Sequence, residues 1–494
     1  MQKTTLAFVA AAFLCGAASA APATQFKESF DGVGHMLIVP YYTVQSGNAT
    51  LLNIVNTDKT NGKAVKLRFR GAANADTLFD FTLFLSPGDV WAAEVSQNPA
   101  TGLARLYTPD NSCTLPTQVN GDFNTARTNP QADRPNETRE GYIDIITMAD
   151  VLPGTAVYTA TKHVKGAPPI RCSEGVVVPV ALRSLQTEAG IAAAGFGAPT
   201  TGLFANWSIF NVPEATSWSG KATAIAAVAA DGKPGAGNVV MKPQTSDVPP
   251  GAAHDLTADP LLRSGAVQLV QSDLPDLSTP YIGSITPAQQ AAQLSGVLAK
   301  TGLKNEYFTD DRVQAQTDWV FSMPMRRYSV ALNPATLLPE YTVLSPEYVH
   351  AANSFVQGSA ATKKVCTTVP DYGFWDRSEY YLDHDASSED VELGVGIPMP
   401  RYRHFCGAVS VWSINAGDEF ALSSLAARVS RSNLEIGYRD GWGHIAMPSI
   451  NGAGTPLIGA AFSRATSTNI GNNISGNFGL AWEHRYVRPG DVIP

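Results

Sequence analysis

The chain has 494 residues, 44% hydrophobic and 16% charged, which is enough apolar material for a sizeable core and too little charge for long solvated helices. Its 42 glycines and 33 prolines stay well short of the roughly 25–30% share that marks low-complexity disorder. The formal net charge of −8, from 43 acidic and 35 basic residues without a basic block, argues against binding to a phosphate backbone. No nucleic acid partner is expected.

Residues 1–20 read as a signal peptide. Lys3 precedes an apolar run from Leu6 to Leu14, and Ala18-Ser19-Ala20 supplies the small residues read before a cut at Ala21. Nine apolar residues are too few to cross a hydrocarbon core that needs about twenty, and no later run reaches eighteen, so no transmembrane segment is expected. An exported protein follows, extracellular or at the cell surface, with the periplasm as the other location. Cys15 leaves with the signal; Cys113, Cys172, Cys366 and Cys406 remain. In an oxidising compartment they read as two bridges, expected as Cys113–Cys172 and Cys366–Cys406, so that each stays within its own half of the chain. Zinc is disfavoured because no pair has the close spacing of a structural site.

From residue 21 to about 230 the pattern is that of strands. Met36 to Val39 and Leu51 to Val55 are short β-rich runs, and Asn56 to Gly62 is a turn. Val65-Lys66-Leu67-Arg68-Phe69-Arg70 alternates apolar and basic residues, which predicts a half-buried strand with its three charges in water. Phe79, Phe81, Leu83 and Leu85 continue the alternation up to the turn Ser86-Pro87-Gly88-Asp89. Tyr142 to Ile146, Ala156-Val157-Tyr158 and Trp207 to Val212 are further expected strands. Residues 231–285 read as a loop or linker, beginning with the glycine- and proline-rich stretch Asp231 to Pro260.

One short helix follows, with Thr286 as N-cap, Pro287 at the first position and Gly302 just past the end; Ala292, Val297 and Leu298 are its expected packing face. β patterns then return at Trp319 to Phe321, Tyr328 to Val330, Ala408 to Trp412 and Phe478 to Trp482. The expected fold is mainly β: two antiparallel β-sandwich units of immunoglobulin or jelly-roll type, residues 21–230 and 286–494, with the one helix and long loops.

Eight histidines lie singly along the chain, and no zinc-protease, nucleophile-elbow or Ser-x-x-Lys pattern is present. The segment from Tyr372 to Glu392 concentrates aromatics and carboxylates. Hard cations take several oxygen ligands from a loop, so Asp383, Asp385, Glu389 and Asp390 are the candidate ligands for calcium; a solvated acidic loop paired with Arg377, Arg401 and Arg403 is the alternative. A second reading takes the aromatics as a sugar-stacking platform, with Asp376 and Glu379 beside Trp375 as the carboxylate pair of a glycosidase.

Several segments form a set: Gly34-His35-Met36-Leu37-Ile38-Val39-Pro40-Tyr41-Tyr42, Leu85-Ser86-Pro87-Gly88-Asp89-Val90-Trp91, Asn111-Ser112-Cys113-Thr114-Leu115-Pro116, Arg139-Glu140-Gly141-Tyr142-Ile143-Asp144, Thr317-Asp318-Trp319-Val320 and His484-Arg485-Tyr486. Together they resemble a mostly uncharacterised group of secreted or cell-surface β-rich proteins of Gram-negative bacteria. The resemblance implies export and a surface role and carries no catalytic residues. The expected function is therefore that of a non-enzymatic secreted structural protein of surface-layer or matrix type. Its expected partners are itself, other cell-surface components or glycans. The alternatives are a secreted polysaccharide hydrolase using carboxylates near Trp375 and a periplasmic binding module.

Overall fold

The computed structural model describes residues 20–164, 188–241, 275–332, 339–341, 354–379, 381–385, 403–415, 423–436, 440–448, 453–467 and 476–491. The protein is mainly β, and its strands pair antiparallel except Val409–Asn415 with Arg431–Glu435. No described helix is long and apolar enough to cross a membrane.

In the N-terminal half, an eight-stranded sheet has Gly62–Gly71 at its centre, between Glu140–Val151 and Thr77–Leu85. A six-stranded sheet is built around Asn48–Asn56, flanked by Leu203–Asn211 and Val90–Gln97. The C-terminal half has two five-stranded sheets. One runs in the order Tyr381–Asp385, Asp371–Asp376, Gly441–Ala446, Gly302–Tyr307, Arg485–Val487. The other runs Arg431–Glu435, Val409–Asn415, Gln316–Ser322, Ile458–Ser467, Gly476–Glu483. A three-stranded sheet joins Ser354–Gln357, Lys364–Val369 and Arg403–Cys406. Every ladder between described strands stays within residues 25–228 or within 299–487. The apolar core does not divide in the same way: Val65, Leu67 and Phe69 belong to one cluster with Val409, Ile458 and Phe462, while Trp319, Phe374, Phe405 and Trp412 form a second.

Cys366 and Cys406 lie directly opposite each other on neighbouring antiparallel strands and are bonded, as expected. Cys113 is disulfide-bonded too. Its expected partner, Cys172, lies outside the described residues.

The charges of Val65 to Arg70 are not in water. Lys66, Arg68 and Arg70 are at most 1% exposed, because a central strand is covered on both faces. Val65, Leu67 and Phe69 face the core, and the opposite face is roofed by chain from beyond residue 270: Pro275 accepts from Arg68, and Pro324 accepts from Tyr142. Ala156-Val157-Tyr158 is helical, within Ala156–Thr161. Thr155 sets this by capping the helix, its hydroxyl accepting from the Tyr158 N–H and outweighing the local β propensity. Tyr328 and Ser329 close a buried 3₁₀ turn, Pro324–Ser329, and the strand begins only at Val330.

The helix forms as Pro287–Leu298. Its capping box is complete, with Thr286 accepting from the Gln289 N–H and the Gln289 side chain from the Thr286 N–H. Ala291, Leu294 and Leu298 are its buried apolar positions, while Ala292 and Val297 are half-buried, and Gly302 opens a strand rather than ending the helix. The described ends of the 231–285 stretch are packed: Val240, Met241, Leu277 and Tyr281 are buried, and Tyr281 donates to the Thr147 carbonyl.

Candidate functional site

Among the described residues, the roofed face of the large sheet gathers buried charges of both signs. Asp144, Arg68 and Asp80 stand opposite one another on three adjacent strands. Arg68 reaches Asp80 at 3.3 Å, Lys66 reaches Asp80 at 3.5 Å, and Arg70 donates from Nε to Asp144 at 3.1 Å and from Nη1 to Thr77 at 2.8 Å. At the strand's start, Lys63 meets Asp150 at 2.7 Å and Asp58 at 3.2 Å. Burial pushes the Asp144 and Asp150 carboxyls up, opposed by Arg70 and Lys63 respectively. Among the described residues these charges meet one another across strands, so the layer reads as structural. Asp58 also closes the expected turn by accepting from the Thr60 and Asn61 N–H groups.

Ser86, Asp89 and His163 have the composition of a hydrolytic triad but not its geometry. Ser86 Oγ and Asp89 Oδ2 both approach the same ring nitrogen, Nδ1, at 3.1 and 3.3 Å, and Nε2 is taken by Asn111 Oδ1 at 2.7 Å. A relay needs the hydroxyl and the carboxylate on opposite ring nitrogens. His35 and His484 are buried and structural. Burial pushes them down to about 4 and about 3, and each bonds a backbone carbonyl, of Gly235 and Val320.

The aromatic and acidic segment forms the outer face of a five-stranded sheet. Tyr372 and Phe374 point into the second core, so the alternation turns Trp375 outward, where it stands opposite Tyr381 on one neighbouring strand and Trp442 on the other. The three rings form one stack: Trp375 lies 4.2 Å from Trp442 at 7° and 4.4 Å from Tyr381 at 22°. Gly373 makes room for it, since a Cβ there would meet His444 and Tyr381 ring atoms at 2.7 and 2.8 Å. Trp442 and Tyr381 remain 40% and 42% exposed. Polar groups rim the stack, with His444 bonded to Asp371 at 3.3 Å and Glu306, opposite Trp442, paired with Arg485 at 3.5 Å.

The carboxylates singled out in the sequence are placed differently from one another. Asp376 accepts from the Ser378 N–H at 2.7 Å within a tight turn, and Glu379 is exposed in the same turn at φ 65°. Arg377 pairs with Asp440 at 3.3 Å and Asp310 at 3.7 Å. Asp383 and Asp385 alternate along the edge strand Tyr381–Asp385, but their side chains lie outside the described residues, as do Glu389, Asp390 and Arg401 entirely. Among the described residues no group of three or more His, Cys, Asp or Glu side chains is placed to hold a metal ion. The sequence places Trp375 and Tyr381 in one aromatic segment but gives no sign of Trp442, which lies far away in the chain, flanked by Gly441 and Gly443.

Comparison with protein-family models, with characterised proteins and with solved structures finds no match to this chain.

Proposed function

We propose that this is a non-enzymatic, exported cell-surface or extracellular structural protein that works by contact with glycans, and that the Tyr381, Trp375 and Trp442 stack makes the contact. The observation that carries the reading is the exposure of the stack. Rings that could have packed in a core stand in water on a sheet face, and an apolar patch rimmed by polar groups marks an interaction surface. Tyr381 belongs to the edge strand, so the ring face turned away from Trp375 is the natural seat for the C–H face of a pyranose, with Asp371, His444 and Glu306 placed to meet hydroxyl groups.

The test is titration calorimetry against a panel of surface and extracellular polysaccharides, comparing wild type with Trp442→Ala. Binding by the wild type and its loss in the variant, at unchanged fold by circular dichroism, is expected. Equal binding by both proteins would remove the stack from the reading, and release of reducing sugar by the wild type would end the non-enzymatic one.

A further inference from the structure

The three-stranded sheet and the segment leading into Arg431–Glu435 enclose a cleft of ≈ 350 Å³. That lies within the usual range of small-ligand sites, about 300–1,000 Å³. Among the described residues its charged lining has one sign: Lys364, Arg403, Arg428 and Arg431 face it together with His404, and no described Asp or Glu does. On a chain of net charge −8 this is a local inversion.

The four cations make no ion pair among the described residues. Their hydrogen bonds go to neutral groups: Lys364 to the Val429 carbonyl, Arg403 to the Asn433 carbonyl at 2.8 Å, and Arg431 to Ser413 Oγ at 2.8 Å. The carboxylates that act on them do so from beyond ion-pair distance. Glu137 and Glu140 both act on Lys364, neither as an ion pair; Glu140 accepts from the Arg428 and Val429 N–H groups, and Asp318, which acts on Arg431, accepts from Ser413, Ser423 and the Leu425 N–H. Arg326 adds a further cation beside the Cys366–Cys406 bridge. It is 5% exposed, and its Nη1 donates to the carbonyls of Val365, Phe405 and Gly407 at 2.9, 2.8 and 2.7 Å, with no carboxylate opposing the effect of burial.

Four buried polar atoms of the lining residues lack a hydrogen-bond partner: Arg403 Nε, His404 Nδ1, Ser430 Oγ and Arg431 Nη2. Ser430 is itself 8% exposed. Buried donors left unmet are costly, and converging cations outside any ion pair more so. Both deficits are met by the same occupant, an anion with several acceptor oxygens, for which guanidinium groups supply paired planar donors.

We propose that this cleft is an oxyanion-binding site, taking a carboxylate, sulfate or phosphate group. The cross-strand bridge ties Lys364–Val369 to Arg403–Cys406 and so holds Lys364, Arg403 and His404 in place around it. The site is distinct from the aromatic stack and does not depend on the glycan reading.

The experiment is calorimetric titration of the full chain at low ionic strength with sulfate, phosphate and glucuronate. Chloride at matched ionic strength is the control, and Arg428→Gln and Arg403→Gln are the variants. Arg428 is exposed, so its replacement leaves the fold intact and decides the matter alone if the Arg403 variant does not fold. Saturable binding of at least one oxyanion, about tenfold or more weaker in Arg428→Gln and unchanged in Trp442→Ala, is expected, since each lost charge-assisted bond is worth at least about a factor of ten. The tightest of the three probes identifies the chemical source. No saturable heat from any probe up to tens of millimolar, an equal response to chloride, or equal affinity in the Arg428 variant would overturn the proposal.

Discussion

Replacing Asp144 by asparagine removes one charge from the roofed layer and leaves Arg70 facing a neutral amide in a space closed to water. The side chains of the pair are 1% and 2% exposed, and the contact is 3.1 Å. At an effective dielectric constant of about 20, Coulomb's law puts the lost attraction near 5 kcal/mol, and one-sided breaks of buried pairs typically cost about 3–5 kcal/mol. Thr77 and the Ala75 carbonyl still accept from Arg70, which places Asp144→Asn at about 3–4 kcal/mol of lost stability. Removing both charges with apolar residues of similar size, Arg70→Met with Asp144→Leu, should return most of that loss, because the unmatched charge goes with its partner. Urea unfolding followed by tryptophan fluorescence measures Asp144→Asn and the cycle of Arg70→Met, Asp144→Leu and their double variant. A loss below about 1 kcal/mol in Asp144→Asn, or a double variant as unstable as the sum of the singles, would refute the reasoning that this layer is held by mutual compensation.

Stability should fall with acid through the buried histidines. Their folded values lie near 4 and 3 against 6.5, so their contribution is complete above about pH 6.5 and drains away below it. Glu137, raised from 4.5 to about 7 by burial, works in the opposite direction, its protonated form favouring the fold as pH falls from 7 to 4.5. Glu137→Gln should therefore steepen the loss between pH 7 and 5 by about one proton, ~1.4 kcal/mol per pH unit, and identical slopes in the two proteins would contradict it. Peptide mapping without reduction should recover Cys366 with Cys406 and Cys113 with Cys172; a peptide joining Cys113 to Cys406 would break the within-half pairing.

Strands were readable wherever one face was apolar and the period was two, as in Phe79 to Leu85 and Trp207 onward, because local alternation reports which side meets a core. Alternation cannot say what covers the other side. Lys66, Arg68 and Arg70 look solvated in sequence because Pro275 and Pro324, which roof them, lie some two hundred residues away. The same limit hid both surface features. The stack is assembled from positions 375, 381 and 442, and the cationic cleft from 364, 403, 428 and 431, so that neither forms a run in the chain. Ala156 to Tyr158 was a different failure, a β-prone triplet overruled by one hydroxyl at Thr155.

The roof over the large sheet arrives late in the chain, since the strands it covers end at Val151 and the described residues that cover them begin at Pro275. During synthesis, the unroofed face waits for more than a hundred residues. An apolar face left open for that interval would be an adhesive. This one presents ammonium, guanidinium and carboxylate groups, which water solvates well, so the waiting intermediate is a poor seed for aggregation. What the finished protein loses in desolvating those charges, the nascent chain recovers as solubility.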